Sequence, residues 1–77
     1  MQIFTLEELS LYNGKNGKPA YIAYEGKVYD VSNSWYWQNG MHQALHAAGQ
    51  DLTHSLNHAP HGADFLQRVP LIGVLEQ

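Results

Sequence analysis

The stretch AYIAYEGKVYDVS, at residues 20–32, restricts the fold more than any other part of the sequence. It alternates with a period of two on both sides of Glu25-Gly26, a dipeptide that suits a tight turn. This pattern predicts two antiparallel strands joined by a hairpin. We therefore expect a small sheet against which the rest of the chain packs.

Helical patterns flank this hairpin. A capping box at Thr5 and Glu8 predicts a short helix from about Leu6 to Tyr12. After the hairpin, a second helix is predicted by the apolar stripe Met41, Ala44, Leu45 and Ala48, which stops at Gly49. A third, capped by Asp51 or Thr53, carries Leu52, Leu56 and Ala59 and is closed by Pro60.

A fourth helix is predicted over roughly Ala63 to Arg68, and the apolar run at residues 71–75 predicts a short terminal strand. The order is typical of an α+β fold in which short helices form a cup against a small mixed sheet. With 77 residues, the chain is expected to form one domain over residues 1–77, near the lower limit for burying a core unaided. A bound cofactor would then add to its stability.

Composition excludes several classes of protein. The chain has no cysteine, which removes disulfides, thiolate metal sites and thiol catalysis. A net charge of −3, with four basic residues that do not cluster, disfavours nucleic acid and anionic membrane as partners. Neither a signal peptide nor a run of about 18 apolar residues is found. We expect a soluble, cytoplasmic protein without a membrane span, unless the chain was cut from a larger one.

All five histidines fall within residues 42–61. His42 and His46 are four residues apart, and His54 and His58 repeat that spacing, while His61 follows in a loop. A polar helix face explains His54 and His58 sufficiently, so these two are expected to face water. Histidines reaching from two helix ends toward a shared gap could supply two axial nitrogens to one metal.

Two metal centres compete for these histidines. Zinc suits the HxxxH spacing, but no glutamate lies near the histidines in sequence to act as a general base, as in H-E-x-x-H. An iron porphyrin fits better, because it needs two histidines on opposite walls of an apolar slot. The residues that could line the slot are Leu45, Leu52, Leu56, Ala59, Phe65 and Leu66. The run Trp35-Tyr36-Trp37 is either ordinary core or a further wall.

Five motifs carry a resemblance over nearly the whole chain. They are FTLEEL at residues 4–9, GKVYDVS at 26–32, AGQDLT at 48–53, PHG at 60–62 and PLIGVL at 70–75. In this order and spacing, they resemble the cytochrome b5-like heme/steroid-binding family. The resemblance implies a non-covalent b-type heme with axial imidazoles, in a protein that is not an enzyme but passes single electrons to or from a redox partner protein.

The resemblance assigns the second axial ligand to His61, ten residues after Asp51. The first ligand departs from the pattern, because the family's His-Pro-Gly-Gly is missing and Trp37 stands where its histidine would fall. The segment WQNGMHQALHAAG, at residues 37–49, resembles a small prokaryotic branch related to the membrane-associated progesterone receptor proteins.

His42, at the start of the predicted helix, is the first candidate for this ligand, and His46 is the alternative. Tyr36 is third, because tyrosine ligation occurs among the progesterone-receptor relatives. The predicted cofactor site thus comprises His42, His46, His61, Leu45, Leu52, Leu56, Trp37 and Tyr36. Two histidine ligands would favour electron transfer, whereas a single one would favour heme trafficking, or the site could hold a sterol-like molecule without a redox role.

Overall fold

The computed structural model describes residues 1–34, 41–42, 46–59 and 62–76, and at 41, 42 and 46 it describes the backbone alone. The described elements are β1 (Gln2–Phe4), α1 (Leu6–Ser10), β2 (Tyr21–Tyr24), β3 (Lys27–Asp30), β4 (Met41–His42), β5 (His46–Ala47), α2 (Thr53–Asn57), a 3₁₀ helix (Asp64–Arg68) and β6 (Leu71–Leu75). In these ranges, no helix has the length and apolar character needed to cross a membrane.

The main sheet has the strand order β1-β6-β3-β2, with β1 parallel to β6 and the other neighbours antiparallel. The predicted hairpin is confirmed, since β2 and β3 pair across the Glu25-Gly26 turn, and so is the terminal strand β6. Strand β1 was not predicted from the sequence. Its three residues are too few to show an alternating pattern.

The two faces of the sheet carry two separate cores, because successive residues of a strand point to opposite faces. On β2, Ile22 joins one core and Ala23 joins the other. We call the first the site-side core; its buried members are Ala20, Ile22, Val31, Ala48, Leu52, Leu56, Phe65 and Leu66. The second, the α1-side core, contains Phe4, Leu9, Ala23, Val28 and Leu75.

Helix α1 begins as predicted. The Thr5 hydroxyl oxygen accepts a hydrogen bond from the Glu8 backbone N–H at 3.0 Å, and the Glu8 carboxylate accepts one from the Thr5 N–H at 2.9 Å. This capping box satisfies two backbone donors at the helix start. The helix places Leu9 in the α1-side core, on the opposite side of the sheet from the site-side core.

The helix predicted from the stripe between Met41 and Ala48 is wrong in the part that the structure describes. Residues 41–42 and 46–47 are strands that pair with each other. The chain that follows is held against β2, because the Gly49 N–H donates to the Tyr21 carbonyl at 2.7 Å and the Ala23 N–H donates to the Gln50 carbonyl at 2.9 Å. Tertiary pairing therefore overrides the helical spacing.

The two later helices form where predicted, with corrections. Neither Asp51 nor Thr53 is the N-cap residue of α2; that position is Leu52. The Asp51 carboxylate instead accepts from the Thr53 N–H and hydroxyl at 3.1 and 2.6 Å, and the Thr53 hydroxyl accepts from the Glu25 N–H at 2.7 Å. The segment predicted as a fourth helix is a 3₁₀ helix, which ends at Arg68 because the residue before Pro70 is extended.

Replacing Gly73 with alanine should weaken the pairing of β1 with β6. A Cβ at this position would touch the Gln2 carbonyl oxygen and lie 2.8 Å from Cε2 of Phe4. We expect the free energy of unfolding, measured by urea denaturation, to fall by about 1–3 kcal/mol. Val74→Ala is the matched control, since this neighbour is exposed and should cost less than about 1 kcal/mol. Equal losses in both variants would contradict the close packing.

Candidate functional site

The site-side core brings together four of the residues predicted to line an apolar slot. Leu52, the N-cap residue of α2, is 4% exposed, and Leu56, within α2, is 1% exposed. Phe65 and Leu66 of the 3₁₀ helix are buried in the same cluster. Ala59, also expected in the lining, is exposed instead. The core thus forms one apolar wall made by two short helices against the sheet.

A tight turn follows α2. The Ala59 N–H donates to the Leu56 carbonyl at 3.3 Å, and the Gly62 N–H donates to the Ala59 carbonyl at 3.0 Å. A Cβ at Gly62 would touch the Leu56 carbonyl oxygen and lie 3.0 Å from the Ala59 Cβ, so only glycine fits without a shift. The chain therefore reaches the edge of the apolar wall immediately after position 61. Pro60 and His61 themselves lie outside the described residues.

His42 and His46 are directly paired across the two-stranded ladder of β4 and β5, next to the pair formed by Met41 and Ala47. Paired Cα atoms in an antiparallel ladder are about 4.5–5.5 Å apart. The two histidines are thus neighbours across two strands, rather than one turn apart on a helix. His42 and His46, the first two candidates for the first axial ligand, therefore occupy paired positions of the β4–β5 ladder.

The chain on either side of this ladder is anchored at the site-side core. Before it, the Val31 N–H donates to the Ala20 carbonyl at 2.8 Å, and the Ser34 N–H donates to the Val31 carbonyl at 3.0 Å. After it, Ala48 is 4% exposed within the core. The predicted residues Tyr36, Trp37 and Leu45 lie between these anchors but outside the described residues.

A cavity of about 280 Å³ opens between the end of β3 and the end of the 3₁₀ helix. Its lining residues are Asp30, Asn33, Ser34, Phe65, Arg68, Val69 and Pro70. The cavity combines an apolar side with one carboxylate and one guanidinium group. Arg68, the single arginine of the chain, is not among the predicted site residues, because only the fold brings it to this cavity.

Two tyrosines of β2 have raised pKa values. Burial raises the pKa of Tyr24, and the neighbouring Glu25 carboxylate raises it further. Burial, followed by the charge of Asp30, raises the pKa of Tyr21. Both phenols are therefore protonated at neutral pH. The Tyr24 hydroxyl can donate its hydrogen bond to the Asn57 side-chain oxygen, which ties β2 to the last residue of α2.

His54 and His58 are exposed on α2 and its C-cap, as expected from the polar face of the predicted helix. Their rings lie close together, with centroids 4.2 Å apart and planes inclined by 61°. Leu56 lies on the buried side of the same short helix. The two exposed histidines thus lie on the side of α2 that faces away from the apolar wall.

A family model described as Cytochrome b5-like Heme/Steroid binding domain matches residues 5–76. This match covers the site-side core, the β4–β5 ladder and the turn at Gly62, and it shows that the chain belongs to that family. The α+β fold and the resemblance predicted from the five motifs are confirmed.

Two solved structures closely share the fold. A cytochrome b5 domain protein of Hadesarchaea YNP_N21 is 59% identical, with a TM-score of 0.92 over 99% of this chain and 100% of that chain. One from Methanococcoides burtonii is 50% identical, with a TM-score of 0.93 over 99% of each chain. These neighbours agree with the small prokaryotic branch predicted from residues 37–49.

A curated relative, Probable steroid-binding protein 3 of Arabidopsis thaliana, is 41% identical over 56 residues, which are 69% of this chain and 54% of that protein. This chain spans about half or less of the length of the curated relatives that it matches.

Replacing Gly62 with alanine should disturb the turn that adjoins position 61. Because the added Cβ would meet the Leu56 carbonyl and Ala59, we expect a loss of about 1–3 kcal/mol in the free energy of unfolding. We also expect weaker heme binding, measured by titrating heme into the protein.

The matched control is Gly17→Ala. A Cβ at Gly17 meets nothing within 4 Å, but its φ of +80° strains any other residue, at about 1–2 kcal/mol. The control should lose stability and keep its heme affinity. Equal heme affinities in the two variants would show that the turn is not part of the binding site.

Proposed function

We propose that the protein binds one heme b non-covalently against the site-side core and exchanges single electrons with a redox partner protein, without catalysing a reaction of its own. The family supports heme binding. The observation that carries the proposal is the turn at Gly62, which joins position 61 to the wall formed by Leu56 and Phe65. His61 is the residue that the resemblance assigned as an axial ligand.

The described residues suit the chemical character of this cofactor. A porphyrin face is large and apolar, and the side chains of Leu52, Leu56 and Phe65, which are buried together, make the interior beside the Gly62 turn apolar. A porphyrin also carries two propionate carboxylates. Arg68 and Asn33 line the adjacent cavity and could hold one of them, because a guanidinium and a side-chain amide are both hydrogen-bond donors.

The axial ligands would be imidazole nitrogens of His61 and of one histidine from the β4–β5 ladder. His42 is the first candidate for this ligand only if it starts a helix. Because Met41–His42 is a strand instead, that reason no longer holds. His46 is two residues from Ala48, which is buried in the site-side core. We therefore place His46 first and His42 second, with Tyr36 as the third candidate. Trp37 and Leu45 would complete the wall.

When bound, heme supplies an iron centre that is reduced and reoxidised by one electron. The protein side chains would hold the iron in six-coordinate form, exclude water with the leucine wall and pair the propionates with positive charge. Two histidine ligands leave no open position on the iron, which favours electron transfer over chemistry on a bound substrate. The net charge of −3 is compatible with the acidic docking surface that the family usually presents to its redox partner.

A second candidate function is the binding of heme for trafficking, or of a sterol-like apolar molecule. Two observations favour it: the cavity of about 280 Å³ beside Phe65 and Val69, and the steroid-binding name of the Arabidopsis relative. Such a module would need no second axial ligand. Reduced heme with an open position binds carbon monoxide readily, whereas six-coordinate bis-histidine iron resists it.

Heme titration of the native chain should give a sharp Soret band and, after reduction, the split visible bands of low-spin bis-histidine iron. His61→Ala should abolish stable binding, because it removes the axial ligand that the resemblance assigns. His54→Ala is the matched control, since this histidine is exposed, and it should bind like the native protein. A spectrum that stays that of free heme when heme is added to the native chain would refute the proposed function.

Substitution within the ladder should identify the first ligand. We expect His46→Ala to convert the bound iron to high-spin form and His42→Ala to have a smaller effect on the visible spectrum. High-spin iron in His42→Ala, with a smaller effect in His46→Ala, would identify His42 as the first axial ligand. Native low-spin bands in both variants would show that neither His42 nor His46 alone is required as the first axial ligand.

A further inference from the structure

Helix α2 has two faces with different surroundings. Leu56 is almost completely buried and contributes to the site-side core. His54 and His58, on the exposed side, are not needed for the proposed heme site. Their ring centroids are 4.2 Å apart, although exposed side chains on a helix surface are free to lie further from each other.

We propose that His54 and His58 form a surface site for a divalent transition metal ion of the class of Cu²⁺, Ni²⁺ and Zn²⁺. Neutral imidazole is the commonest protein ligand for such ions. Residues four apart on a helix are neighbours on its surface, so two imidazoles can reach one ion from adjacent turns. Each nitrogen lies about 2.0–2.1 Å from a bound metal, so two ligating nitrogens are at most about 4 Å apart. The ring centroids are 4.2 Å apart, so side-chain rotation alone can bring one nitrogen of each ring to a shared ion.

The surroundings of the pair define the kind of site. The nearest acidic residue in the sequence, Asp51, already accepts two hydrogen bonds from Thr53 at the start of α2. In the ranges that the structure describes, no three His, Cys, Asp or Glu side chains are grouped to hold a metal. Water would therefore fill the remaining positions, which makes the site open and exchangeable. Two-imidazole sites of this type bind Cu²⁺ more tightly than Ni²⁺ or Zn²⁺.

A metal on this pair would link the start of α2 to its C-cap. The helix has five residues, too few to be stable by its own hydrogen bonds. Elsewhere on this helix, the Asn57 side chain is hydrogen-bonded to the Tyr24 hydroxyl, and Leu56 packs in the site-side core. The metal would add a further restraint to the segment that leads into the turn at Gly62.

The test is a Cu²⁺ titration of the heme-loaded chain, in which the proposed function engages the other histidines, monitored by calorimetry and by electron paramagnetic resonance. The key variant combines His58→Asn with Gln67→His. It keeps five histidines and moves one to an exposed position on the 3₁₀ helix. Because chelation by two linked ligands is lost, the tightest Cu²⁺ binding should weaken by about 100-fold. The nitrogen hyperfine pattern should change from two imidazoles to one.

A further variant, His54→Asn, should weaken Cu²⁺ binding to the same extent, since either loss breaks the chelate. Circular dichroism and heme titration should remain native in both variants, because the altered side chains are exposed. If the relocated-histidine variant binds Cu²⁺ as tightly as the native chain, the imidazoles act independently and the proposed site is wrong. The same conclusion follows if the native chain shows only one nitrogen ligand on Cu²⁺.

Discussion

The pairing of residues 49–52 with β2 is the constraint on which the rest of the site depends. Ala23 is bonded in both directions, since its N–H donates to the Gln50 carbonyl at 2.9 Å and its carbonyl accepts from the Leu52 N–H at 2.8 Å. These bonds hold the chain between β5 and α2 against the sheet edge. They bring Ala48 into the site-side core and set the start of α2, so the histidine ladder and the leucine wall are positioned by the same short stretch of backbone.

The small size of the chain explains why one sheet serves two cores. With period-two alternation, β2 and β3 bury residues on both faces, and each face needs only a short helix to cover it. The α1-side core is closed by aromatic packing, with Tyr12 and Tyr21 stacked at 4.5 Å between ring centroids and Phe4 edge-on to both. The site-side core is covered by α2 and the 3₁₀ helix, and their shared wall is where a cofactor would add buried area.

Local signals in the sequence predicted the parts of the fold that depend on local chemistry. The capping box at Thr5 and Glu8, the Glu25-Gly26 turn and the alternating strands were found because neighbouring residues decide them. The β4–β5 ladder was not, because the spacing from Met41 to Ala48 is helical, whereas the chain that follows at Gly49 and Gln50 is bonded to β2, which is distant in sequence. Of the candidate site, the leucine and phenylalanine wall was predictable from apolar spacing. Arg68 and the tight turn at Gly62 were not, because both depend on three-dimensional proximity.

The parallel pairing of β1 with β6 has a consequence for how such a domain can be joined to other proteins. Strand β1 is the edge opposite β2 and β6 is its neighbour, and the Glu76 N–H donates to the Phe4 carbonyl at 2.7 Å, so the first and last described strands are adjacent. A segment or tag attached at either end would emerge from that edge. The site-side core, which is built around β2, would not be disturbed by such an attachment. This places linkage and cofactor binding on separate sides of one small sheet.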